Sequence, residues 1–111
     1  MIEEALAGLV DRFNRHAEKN PGISAELAGI SRTIAIQLTD EKQYAVDLKE
    51  GRLTGLRSGS DGKADLTIVT DSVTFLGLMR REIGPMRALA TRKLSISGSL
   101  EDKLLLRRLL A

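Results

Sequence analysis

Residues 84–110 read GPMRALATRKLSISGSLEDKLLLRRLL, a run that passes from helix to strand to helix without a spacer. Pro85 fixes φ for a first helical position, so a short helix opens there. Leu94 and Ile96 alternate with Ser95 and Ser97, the period of a half-buried strand over Lys93–Ser97. Gly98 turns the chain, and Ser99 supplies an N-cap for a terminal helix. In that helix Leu100, Leu104, Leu105, Leu106, Leu109 and Leu110 cover more than one narrow stripe. Such a surface needs apolar cover from elsewhere in the fold, or an apolar ligand beneath it.

Upstream of this run, Ala64–Val69 reads as another strand, with Leu66 and Ile68 on one face and Asp65 and Thr67 on the other. Thr70 or Asp71 can cap the helix that follows, in which Val73, Leu76 and Met79 line one side and Phe75 and Leu78 widen it. Ser58–Lys63 is a polar, glycine-containing loop too short to separate domains. Before it, Ile34, Ile36 and Leu38 share a face of a strand spanning Ser31–Thr39. Tyr44, Val46 and Leu48 share a face of the next strand, and Glu50-Gly51 turns the chain into Arg52–Arg57. Strands joined this closely form an antiparallel meander with one apolar face. At the start, Ile2, Leu6, Leu9, Val10 and Phe13 recur at helical steps until Pro21-Gly22, and a short second helical turn is expected around Ser24–Ala28. The expected architecture over 1–111 is a single α+β domain: a mostly antiparallel five-stranded sheet with helices packed on one face.

The 111 residues contain no cysteine, which excludes disulfides, a thiolate nucleophile and cysteine-ligated metals. With 17 Lys/Arg against 15 Asp/Glu the net charge is only +2, and Phe13, Tyr44 and Phe75 are the whole aromatic set, so a nucleic-acid partner is not expected. The apolar runs are far short of the ~20 residues that span a bilayer, and the acidic start lacks the basic region of a signal peptide. A soluble, cytoplasmic protein is the expectation.

Catalytic and metal chemistry find little footing. His16, the only histidine, reads as a solvated or dipole-paired side chain at a helix end, because a zinc site would have to draw its other ligands from carboxylates. Glu101 and Asp102 suit the first turn of a helix better than a catalytic pair. The Gly59/Gly62 loop leads into a strand instead of a helix N-terminus and lacks the ending of a phosphate loop. No catalytic residue, metal ligand or cofactor is assigned. The arginines and lysines of the C-terminal half read as solvated surface, with a weak contact to an anionic membrane surface as the alternative.

Taken in order, Ala64-Asp65-Leu66-Thr67-Ile68, the apolar helix around Phe75–Met79, Gly84-Pro85-Met86-Arg87-Ala88, and Lys93-Leu94-Ser95-Ile96-Ser97-Gly98-Ser99-Leu100 resemble the sterol carrier protein type 2 family. The resemblance runs from about Thr33 to Leu110. It implies a non-enzymatic domain with a hydrophobic cavity between sheet and helices, taking a fatty acid, acyl-CoA or sterol-like lipid, in a compact prokaryotic stand-alone member. Carried onto this sequence, it makes Ile36, Val46, Ile68, Phe75, Leu76, Met79, Met86, Leu89, Leu100, Leu104 and Leu105 the candidate ligand-binding residues. The alternative from another class is an interaction module, a homodimer built through the leucine-rich terminal helix.

Overall fold

The computed structural model describes residues 2–59 and 63–104. Leu105, Leu106, Leu109 and Leu110 lie outside the described residues. Helix α1, Ile2–Lys19, carries Glu3 and Glu4 in its first turn and His16 and Lys19 in its last, as the helix dipole favours. It buries Ile2, Leu6 and Ala17. Asn20 then closes this helix instead of capping the next, since its side-chain amide donates to the His16 carbonyl at 3.0 Å. Helix α2, Pro21–Leu27, starts directly on its proline, three residues before the expected turn.

The meander is β1 (Ser31–Leu38), β2 (Gln43–Lys49) and β3 (Arg52–Ser58). Glu50 and Gly51 both have positive φ, 52° and 80°, the geometry of a two-residue primed turn, and Lys49 faces Arg52 across it. Between Asp47 and Ala45 the β2–β3 register slips, so Gly55 and Leu56 together oppose Val46. Gly55, at φ 67°, is the residue that lets the strand bulge. The extra residue is why Leu53 and Leu56, three apart, both pack on the core.

β4 (Leu66–Thr70), α3 (Ser72–Met79), α4 (Pro85–Ala90) and β5 (Leu94–Gly98) follow, and a further helical segment begins at residues 100–104. Asp71 is the N-cap of α3, accepting from the Thr74 amide at 2.7 Å. Ser99 caps the last segment, its hydroxyl accepting from the Asp102 amide at 3.1 Å.

The expectation of a mostly antiparallel sheet is corrected. The five-stranded sheet is mixed, in the order β3-β2-β1-β4-β5, with β4 lying parallel to β1 from Ile34↔Leu66 to Leu38↔Thr70. After β3 the chain does not turn back beside it but passes to the far side of β1, arriving in the direction β1 already runs. Thr33 fixes the entry on both sides: its carbonyl accepts from the Asp65 amide at 2.9 Å, and its amide donates to the Asp65 carboxylate at 2.7 Å. Period-two alternation specifies a strand's face and is silent about its neighbour or its direction, which is how the pairing escaped the sequence.

Register nevertheless lines up the apolar face as read: Ile34 sits beside Val46 and Leu66, Ile36 beside Tyr44 and Ile68, and Ile68 beside Ile96. Ile2 and Leu6 of α1, Leu27 of α2 and Phe75 of α3 close over it in one core cluster, with Leu6, Leu48 and Leu66 the largest side chains sealed inside.

Candidate functional site

The apolar face just described is the ground on which the candidate residues can be placed. Ile36 and Val46 from the sheet and Phe75 from α3 are buried in the core cluster, and Ile68, Leu76 and Met79 are half-buried against it. These six are brought together. Met86 and Leu89 of α4 and Leu100 and Leu104 at the start of the last segment are instead exposed, Met86 and Leu100 at 64% and 74%. α4 is short, and Ala88 is the residue it buries. Leu105 lies outside the described residues.

At the turn end of β1 and β2 the apolar layer gives way to a cavity of about 370 Å³, lined by Ile2, Glu3, Asp40, Glu41, Lys42, Tyr44, Ser72 and Leu76. Ile2, Leu76 and the Tyr44 ring make its apolar wall, and Tyr44 is the cross-strand neighbour of Ile36. Among the described residues, Leu76 alone of the expected set lines it. The volume falls within the ~300–1,000 Å³ of small-molecule sites, towards the lower end.

The polar rim is organised by the same elements. The Tyr44 hydroxyl donates to Glu3 Oε1 at 2.9 Å, tying the first turn of α1 to β2. Burial, and then this bond to a carboxylate, push the tyrosine's pKa up, while hydrogen bonds from its own backbone N–H and from Tyr44 hold Glu3 below the usual carboxylate range. Asp40 accepts from both the amide and the hydroxyl of Ser72 at 2.9 Å, and the amide contributes most to lowering its pKa. The rim thus carries three acidic side chains, Glu3, Asp40 and Glu41, and one basic one, Lys42. The signal that could have found this end in the sequence is Tyr44 itself. A tyrosine on the buried face of a strand must find a partner for its hydroxyl, and helix-start acids are near to hand.

Of the acids weighed for catalysis, Asp102 is tied into the fold. Asp102 is buried, and its Oδ1 accepts from Arg32 Nε at 2.7 Å. That bond holds its pKa down and pins the last segment to the start of β1. His16 is exposed, 3.3 Å from the Asn20 amide through Nδ1. Among the described residues no three His, Asp or Glu side chains are grouped as metal ligands would be.

A mixed sheet covered on one face by helices, with a cavity where that layer opens, defines a small α+β binding-domain architecture. The chain belongs to the SCP-2 sterol transfer family, whose model matches residues 10–111. No curated protein matches the sequence. Among solved structures it is similar to sterol carrier protein 2 from Aedes aegypti, determined in complex with palmitate, at 18% identity over 93% of this chain and 91% of that one, with a TM-score of 0.63. Palmitated SCP2L2 from Aedes aegypti gives 17% identity, 92% and 90% coverage and a TM-score of 0.64. The stereoselective inverting sec-alkylsulfatase Pisa1 from Pseudomonas sp. gives 22% identity and a TM-score of 0.62, over 78% of this chain. This chain spans only 13% of that sulfatase's length, so the likeness is to one part of a larger enzyme. At these identities the likenesses describe fold. Among the described residues no helix is long and apolar enough to cross a membrane.

Proposed function

We propose that the domain binds a lipid by its apolar chain, without chemical turnover, in the layer between sheet and helices that opens at the Tyr44 cavity. The observation that carries this reading is Leu76, which packs half-buried against the core cluster and also lines the cavity. Membership of the family and the palmitate complexes of the two Aedes relatives support it. A chain of about fifteen methylenes gains on the order of 12 kcal/mol at ~0.8 kcal/mol each. Association costs several kcal/mol of this, leaving micromolar affinity as the expected range.

The rim adds a preference among head groups. Three acidic side chains and one lysine disfavour the phosphates of acyl-CoA, tolerate a single fatty-acid head group beside Lys42, and suit an uncharged hydroxyl best. The expected order is therefore a sterol-like or other neutral lipid, then a fatty acid, then acyl-CoA. Native mass spectrometry of freshly purified protein with lipid extraction, followed by displacement of a fluorescent fatty acid by each class, tests the proposal. No extracted lipid together with no binding by any class would refute it.

A second reading rests on Leu100 and Leu104, exposed at 74% and 52% at the start of the leucine-rich segment. There the leucines pack against another copy of the chain. A tight dimer in sedimentation that takes up no lipid favours that reading.

A further inference from the structure

The two outer strands of the sheet are finished differently. β3 is closed off: Asn14 takes up both backbone groups of Leu53, and the Gly55 bulge breaks the line of the strand. Such devices keep a sheet edge from pairing with another strand. β5, at the opposite edge, has neither. Leu94–Gly98 contains no charged residue and no proline, and it pairs with β4 without a register shift from Leu66↔Gly98 to Thr70↔Leu94.

Register shows which groups of β5 are left over. The Thr39 amide donates to the Thr70 carbonyl at 2.9 Å, so Thr70, and with it Ile68 and Leu66, turns its backbone to β1. Thr67 and Val69 turn theirs to β5 and meet Ser97 and Ser95. The N–H and C=O groups of Leu94, Ile96 and Gly98 therefore point out of the sheet edge.

The flanks of this strand complement each other. Arg92 and Lys93 precede β5 and Glu101 follows it; all three are exposed, and among the described residues none of them makes an ion pair. α4, ahead of the strand, exposes Met86 and Leu89, and the segment after it exposes Leu100 and Leu104. An antiparallel neighbour sets the start of one strand beside the end of the other.

We propose that β5 pairs with β5 of a second copy of this chain, antiparallel about a two-fold axis at Ile96, joining the two five-stranded sheets into one. In that register Leu94 faces Gly98 of the second copy and Ile96 faces its own counterpart, so the outward N–H and C=O groups are paired. Arg92 and Lys93 come beside the second copy's Glu101, and Met86 and Leu89 beside its Leu100 and Leu104. The axis repeats both contacts. Short strands alone bury too little for a stable dimer, which needs about 1,200 Å² or more, and the apolar flanks add to that area. A foreign strand would satisfy the backbone groups alone, whereas a second copy also matches the flanks. Among the described residues none from α4, β5 or the segment Ser99 to Leu104 lines the Tyr44 cavity. The pairing is thus compatible with lipid uptake and is tested apart from it.

The chain has no cysteine, which allows a direct test of the register in the intact protein. Ser95 and Ser97 are exposed, and in the proposed dimer each faces the other across the axis at a Cα separation of about 4.5 Å, within disulfide range. Like positions lie diagonally, about 7–8 Å apart. Ser95→Cys and Ser97→Cys, mixed in equal amounts under mild oxidation, are expected to give a disulfide-linked dimer that neither gives alone. Sedimentation equilibrium of the unmodified protein is expected to show a dimer with micromolar affinity. Glu101→Lys sets like charges together twice and weakens the dimer about tenfold, and Lys93→Glu added to it restores association. Circular dichroism checks that each variant is folded. A monomer at every concentration up to about 0.5 mM, cross-linking of either cysteine variant alone as readily as of the mixture, or a charge swap that fails to restore a weakened dimer overturns the assignment.

Discussion

Asn14 grips the outer strand β3 from helix α1 with both halves of its amide. Its Oδ1 accepts from the Leu53 amide at 2.8 Å and its Nδ2 donates to the Leu53 carbonyl at 2.9 Å. β3 is an edge strand, so these are backbone groups that the sheet itself leaves unpaired, and one side chain does for them what a sixth strand would. Leu53 is itself buried and packs in the core. Asn14→Ala removes two hydrogen bonds, each worth about 1 kcal/mol net, and leaves a part-buried donor and acceptor for water to reach around the helix. The expected loss is about 2 kcal/mol, with about 3 kcal/mol the bound if water cannot enter.

Urea unfolding followed by circular dichroism measures that loss, and native-state hydrogen exchange localises it. The Leu53 amide is expected to exchange faster in Asn14→Ala by the factor the local opening energy dictates, while amides in the centre of β1 slow-exchange only through global unfolding. Asn14→Asp separates the two bonds: it keeps the acceptor for the Leu53 amide, loses the donor and sets a charge against a carbonyl. It should fall between wild type and a more destabilised state as the carboxyl ionises, so its deficit grows with pH through the carboxylate range. A loss under 0.5 kcal/mol in Asn14→Ala with unchanged exchange at Leu53 would refute the argument that this amide completes the sheet edge.

Three further outcomes are expected. Phe75→Ala removes the α3 aromatic from the buried cluster and should cost about 3–5 kcal/mol by the same urea measurement, with a value under 1 kcal/mol showing that the site is not packed as described. Asp102, its pKa lowered first by the hydrogen bond from Arg32, gives stability that is fully present above the ordinary aspartate pKa of about 4 and is lost as pH falls through the lowered folded value; Asp102→Asn should flatten that acid limb of the Tm profile, and an unchanged limb would remove the pair from the account. Glu50 is a non-glycine residue at positive φ beside Gly51, so Glu50→Asn should raise stability by roughly 0.5 kcal/mol, and a loss would mean the primed turn is not the one the chain uses.

Much of this fold was legible because alternation and capping are local. Ile34, Ile36 and Leu38, Tyr44, Val46 and Leu48, and Leu66 and Ile68 announce their shared face two residues at a time, and all of them are buried or half-buried on it. Ser99 and Asp71 declare their caps within four residues. What stayed hidden depends on partners distant in the chain: the parallel seat of β4 beside β1, the Asn14 clasp and the Arg32–Asp102 tie across 70 positions. The Gly55 bulge was hidden for a different reason. An added residue converts an apparent mismatch, Leu53 and Leu56 at odd spacing, into a shared face, and only the opposing strand reveals it.

The candidate ligand residues show where the same limit bears on function. The family resemblance assigned Met86, Leu89, Leu100 and Leu104 to the lining of a cavity, where such side chains would be covered. The six residues of α4 have too little length to turn a wide face inward, and α4 spends its one buried position on Ala88, which leaves Met86 and Leu89 outside. The need for cover is unchanged by that placement; what changes is its source. Ile36, Val46, Ile68, Phe75, Leu76 and Met79 receive theirs from the fold or from a bound chain, whereas the exposed set must receive it from another surface.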